Sequence, residues 1–261
     1  MAAAGAGPML LPDSPLSGDV CALVISTCIA LSLLRIFEET AKRGIFDQKL
    51  NRKLVHITIG LVFMLCWPLF SSGNQGAIIA ALVPGINIVK VLLIGLGIVK
   101  DEATVKSMSR FGDHRTKWSG FSQYVELLTG PLYYASTITL CGTFYWRTSP
   151  IGIAAVCNLC AGDGFADIIG RRFGKKKLPY NTDKSFAGSL AMATSGFIAS
   201  VGYMYYYSMF GFIEKSFGIV IGFLMVSIAS ALVESHPIST QFDDNLTVPL
   251  TSVLIGTLIF L

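Results

Sequence analysis

Eight continuously apolar runs, separated by shorter charged segments, make up the hydropathy pattern of this chain: 20–37, 54–70, 77–99, 131–146, 151–170, 186–207, 217–233 and 247–261. None of them alternates between apolar and polar positions, so they read as helices and not as the strands of a closed barrel. A helix needs roughly 20 apolar residues to cross the hydrocarbon, which leaves the fourth and eighth runs short. The pattern predicts an all-α, polytopic transmembrane helical bundle with about 7–8 membrane-spanning helices. Residues 1–19 are rich in Gly and Pro and predict a flexible amino-terminal segment, with 20–261 forming a single membrane-embedded domain. The longest polar insertion, 100–129, is too small for an independent core, and its Trp118, Phe121 and Tyr124 suit an interfacial position.

Composition strengthens this picture. Of 261 residues, 52% are hydrophobic and only 14% charged, where a soluble domain carries about a quarter. Mean hydropathy is +0.62. The first base is Arg35, so the amino terminus has neither the basic start of a secretory signal nor the Arg/Ser character of a transit peptide. Alternating the eight spans puts 17 of the 20 Lys and Arg on one side, a positive-inside asymmetry that makes that side cytosolic, or stromal in a plastid. The six cysteines all fall within apolar runs. Cys157 and Cys160 form a C-x-x-C pair with no second pair or nearby histidine, so small apolar packing is the expectation for them.

The basic side also collects acids, and these topology does not explain. Asp163 and Asp167 stand four apart at the end of an apolar run, where an ionised carboxylate is costly. On a helix they would share one face, and a bound cation would relieve their repulsion. Gly162, Gly164 and Gly170 allow close backbone approach to a ligand or a bend. Three further clusters lie on the same side. In the first, Arg52, Lys53 and His56 enter the second span; the bases could neutralise phosphate and the histidine could take a hydroxyl proton. The second is Lys184-Ser185-Phe186-Ala187-Gly188, which starts the sixth span, where helix N–H groups favour phosphate; the Walker A spacing is absent. In the third, Glu234, Asp243 and Asp244 flank the last turn and could complete a metal site with Asp163 and Asp167. The plainer reading of each is, in turn, topology charge, a helix cap with a snorkelling lysine, and an acidic interhelical turn.

Taken together, R-K-x-x-H at 52–56, G-D-G-x-x-D-x-x-G at 162–170, K-S-x-x-G at 184–188 and D-D-N-L at 243–246 resemble the polyprenol kinase family. Within it the chain is similar to the plant phytol kinase and farnesol kinase group, and the strings FDQKLNRKLVH, NLCAGDGFADIIGRRFG, LPYNTDKSFAGS and ASALVES are most similar to the farnesol kinase branch. The resemblance implies a CTP-dependent kinase that phosphorylates a long-chain isoprenoid alcohol (phytol, farnesol or geranylgeraniol) in a chloroplast membrane, with Mg²⁺ as the divalent cation. It implies metal or nucleotide-phosphate roles for Asp163 and Asp167, phosphate contacts for Lys184 and Ser185, and a place at the same site for Arg52, Lys53 and His56. The stretch 111–128 is longer than the family pattern before GPLYY. His56 and Asp243 are the candidate catalytic bases. The rival readings are a membrane cytidylyltransferase acting on a lipid phosphate and a transporter; crowding of charge at one face argues against the latter's midplane site.

Overall fold

The computed structural model describes residues 15–108, 126–237, 239 and 242–261. Trp118, Phe121, Tyr124 and His114, with most of the 111–128 stretch, lie outside the described residues. The chain is a helical bundle. α1 is Pro15–Lys42, α2 Gln48–Cys66, α3 Asn74–Gly95, α4 Glu102–Met108 and α5 Gly130–Phe144. α6 (Pro150–Cys157) runs through a π-helical segment (Asn158–Asp163) into α7 (Gly164–Phe173). A two-stranded hairpin, β1 (Lys177–Leu178) and β2 (Asn181–Ser185), precedes α8 (Phe186–Met209), α9 (Phe217–Ser235) and α10 (Asp244–Phe260).

Among the described residues, six helical stretches are long and apolar enough to cross a membrane: Leu16–Lys42, Gln48–Leu69, Asn74–Gly95, Pro150–Phe173, Phe186–Met209 and Phe217–Ser235. The two runs that looked short are short helices, 15 residues in α5 and 17 in α10. The protein is a polytopic all-α bundle, with the small hairpin as its one addition among the described residues. α1 opens at Pro15, ahead of the apolar run at 20, so the end of the segment expected to be flexible is helical. The cause is Asp19. Its fully buried carboxylate accepts hydrogen bonds from the Ser71 amide (2.6 Å), the Ser71 hydroxyl (2.7 Å) and Gln75 (3.1 Å), which ties the start of α1 to the α2–α3 turn.

The fifth apolar run forms the axis of the bundle. Every residue of 151–164 is buried. Small side chains such as Gly152, Ala154, Ala155 and Gly162 let neighbouring helices approach it, as membrane interiors require. A Cβ at Gly60 of α2 would collide with Cys160 Sγ and Tyr134 Oη, and one at Gly164 would collide with Ile57. At Gly188 a Cβ would come 3.0 Å from the Ala166 carbonyl oxygen. Gly164 and Gly188 thus allow close helix contact, and Gly188 also lines the polar cavity described below. Cys157 and Cys160 are buried free thiols, in line with a packing role.

The pole opposite the motifs is locked by aromatic and ionic packing. Trp67 stacks on Tyr207 (6.0 Å between centroids) and lies 5.1 Å from Trp146. Pro68 has no N–H for the Met64 carbonyl, and the Tyr207 hydroxyl donates to that carbonyl at 2.8 Å. Arg147 donates to the carbonyls of Trp67 and Phe70, the latter at 2.8 Å. Burial draws its guanidinium down to about 10.

Candidate active site

At the other pole the four sequence clusters meet. The hairpin carries the second of them. Asn181 donates to the Ser235 carbonyl (3.0 Å) and Tyr180 Oη lies 2.9 Å from Ser235 Oγ, so β2 is fixed to the last turn of α9. That docking brings Lys184 to Glu234, which it contacts directly, and to Asp244 at 3.2 Å. Burial opposes the charge on Lys184, but Asp244 and Glu234 more than offset it and hold the ammonium above the usual lysine range. Ser185 caps α8, its hydroxyl oxygen accepting from the Gly188 amide at 3.2 Å.

Asp163 ends the π-helical segment and is buried. Lys53 Nζ donates to its Oδ2 at 2.7 Å, across 110 residues of sequence. His56 Nε2 stands 3.3 Å from the same oxygen and 2.8 Å from the Leu159 carbonyl oxygen. A carbonyl only accepts, so Nε2 carries the proton and Nδ1 is the basic nitrogen of the neutral ring. Tyr134 orients this histidine: the rings are 4.4 Å apart, and Tyr134 Oη donates to the His56 carbonyl at 2.6 Å.

Carboxylate oxygens of Asp163, Glu234 and Asp244 lie within 4.8 Å of one another. Asp167 does not join them. It sits one turn into α7, on the wall of the same cavity, paired with Arg171. Asp163 and Asp167, one α-helical turn apart, both line the cavity, as a shared face requires, but Arg171, four residues on, holds Asp167 in an ion pair of its own. Asp243 caps α10, accepting from the Asn245 amide (3.0 Å) and the Asn245 side chain (2.6 Å).

These groups line a polar cavity of about 710 Å³. Eight Lys and Arg and five acids form its walls, so the lining carries an excess of positive charge suited to a polyanion. Arg52, Lys53, Asp163, Asp167, Lys184, Ser185, Gly188, Glu234 and Asp244 are all among them. Lys49 and Tyr134 were not singled out from sequence. Lys49 stood among topology charges, and Tyr134 is one of two adjacent tyrosines in an apolar run. A second, apolar cavity of about 200 Å³ adjoins the first, and Arg52 lines both.

The fold and the site together define a multi-pass membrane protein with an ion-rich pocket at one pole of its helices. Comparison with known proteins identifies the family. The chain is 66% identical over 250 residues to "Probable phytol kinase 3, chloroplastic" of Glycine max, covering 96% of this chain and 75% of that one. It is 62% identical over 252 residues to "Farnesol kinase, chloroplastic" of Arabidopsis thaliana, covering 97% and 79%. Similarity to "Phytol kinase 1, chloroplastic" of the same plant is 41% over 243 residues, covering 93% and 77%. The chain belongs to the plant phytol kinase and farnesol kinase family, a group of alcohol-phosphorylating transferases. No family model matches it, and no solved structure does.

Proposed function

We propose that this protein is a CTP-dependent kinase that transfers the γ-phosphoryl group to a long-chain isoprenoid alcohol in a chloroplast membrane. One observation carries the reading: a basic, acid-bearing cavity at the helix pole opens beside an apolar cavity, with Arg52 in both walls and the His56–Asp163 contact at their junction. A nucleotide polyphosphate suits the first and an isoprenoid chain the second. CTP as donor follows from the family resemblance, since the basic walls fit any nucleoside triphosphate.

A divalent ion fits the donor set. Three carboxylates converge, and the Lys184 ammonium already sits as a cation against two of them. Asp163, Glu234 and Asp244 would hold Mg²⁺, whose charge would offset that of the phosphate oxygens. The chain's own groups do the rest. Arg52 and Lys184 bind phosphate oxygens and favour the charge that builds up on transfer. Lys53 fixes the Asp163 carboxylate. His56, oriented by Tyr134 and Leu159, stands where the alcohol meets the nucleotide and is the base candidate best placed to take the hydroxyl proton at Nδ1. Asp243 is engaged as a helix cap. The apolar walls keep water from competing with the alcohol.

The test uses membranes carrying the protein, labelled CTP or ATP, and farnesol, geranylgeraniol and phytol. The expected result is a labelled prenyl monophosphate with release of CDP, faster from CTP than from ATP, and abolished by EDTA. Release of pyrophosphate with a CMP-linked lipid would replace the kinase reading with a cytidylyltransferase. Uptake of a lipid analogue without nucleotide would replace it with a transporter.

A further inference from the structure

The apolar cavity has a direction and a floor. It begins at the site, where Arg52 and His56 line it, and follows α2 through Val55 and Ile59 to Phe63. α3 and α5 face it with Val83, Pro84 and Ile138, and α1 with Thr27 and Ala30. Phe63 is buried, packed edge-on against Trp67 at 6.1 Å, and therefore backed by the aromatic lock of the opposite pole. Arg52 to Phe63 is eleven steps of one helix, about 16 Å at about 1.5 Å each. An extended chain of three isoprene units has about that length. A fourth unit would add about one helical turn and run into Phe63. Lys90 also lines the cavity, but its ammonium is engaged by Asp101 (3.3 Å) and Thr104 (3.0 Å).

We infer that this groove is the binding site for the acceptor's hydrocarbon tail, and that Phe63 gauges its length, favouring a three-isoprene over a four-isoprene alcohol. The inference rests on the kinase reading above and adds to it the place and the limit of the acceptor. The occupant is fixed by continuity. An apolar chain lying in the groove presents its hydroxyl end at the Arg52 mouth, against His56 and beside the polar cavity, and the far end, at Thr27, Phe63, Val83 and Ile138, carries no charged residue among the described lining.

Two variants and one probe test it. Phe63→Ala lowers the floor, so the ratio of kcat/KM for geranylgeraniol over farnesol is expected to rise about tenfold. Ala30→Phe, at a partly exposed position on α1, fills the groove from the side and is expected to raise KM for both alcohols with little change in KM for CTP. A farnesol analogue with a diazirine at its far end, photolysed in the wild-type protein, is expected to label peptides containing Phe63, Thr27, Val83 or Ile138. If the wild type phosphorylates farnesol while Phe63→Ala keeps its chain-length profile, Ala30→Phe keeps its KM for both alcohols and the label lands elsewhere, the groove assignment is overturned and the kinase reading stands. If the wild type phosphorylates none of the alcohols, both fall. Should Phe63→Ala fail to fold, Ala30→Phe and the labelling pattern decide.

Discussion

Asp163→Asn is expected to reduce phosphoryl transfer by about 10³-fold or more while the protein still inserts in the membrane. Loss of one preorganised charged or donor group at a reacting centre commonly costs about 10²–10³-fold, and Asp163 has two such duties. It is the carboxylate closest to His56 at the junction of the two cavities, and one of the three acids suited to a divalent ion. The asparagine keeps the shape and removes the charge. Lys53 then loses its partner, but it lines the polar cavity and its ammonium can turn toward water there. Initial rates in membranes, with protease protection to verify insertion, measure the effect. Near-normal turnover by a well-inserted variant would remove Asp163 from the machinery.

The second large effect concerns stability. Lys53→Met leaves the Asp163 carboxylate, 2% exposed, without its 2.7 Å partner. Breaking a buried ion pair by deleting one member costs about 3–5 kcal/mol. The lower end is expected here, because His56 remains at 3.3 Å and the carboxylate borders the cavity. Replacing both members at once removes the uncompensated charge, so Lys53→Met with Asp163→Asn is expected to regain much of the loss. Unfolding of the detergent-solubilised single and double variants measures this. Strictly additive losses would mean that the two side chains do not act as a pair.

The bundle itself was legible in the sequence because hydropathy is a local property: the runs found there became helices, including the two short ones. The gathering of charge at one pole was legible too, since alternating spans returns each loop to a known side. Glu234, Asp244 and Lys184 could be placed on the same side on that argument alone. Particular pairings could not be read this way. Nothing in local sequence joins Lys53 to Asp163, 110 residues away. The spacing rule put Asp167 on one face with Asp163, and both line the cavity, but it overlooked Arg171 as the nearer partner of Asp167. The apolar groove was hidden for another reason. Phe63, Ile59 and Ile138 have the same hydropathy as residues that face lipid, and only packing separates a wall from an outer surface.

Lys184 has a consequence for how this enzyme can be handled. Because its ammonium already rests against Glu234 and Asp244, the chain furnishes a resident counter-charge for its own acidic cluster. On the proposed magnesium reading, chelating buffers are expected to silence the enzyme without denaturing it, unlike small zinc domains, and restored magnesium to revive the same molecules; loss of the folded state on chelation, read by circular dichroism, would count against this.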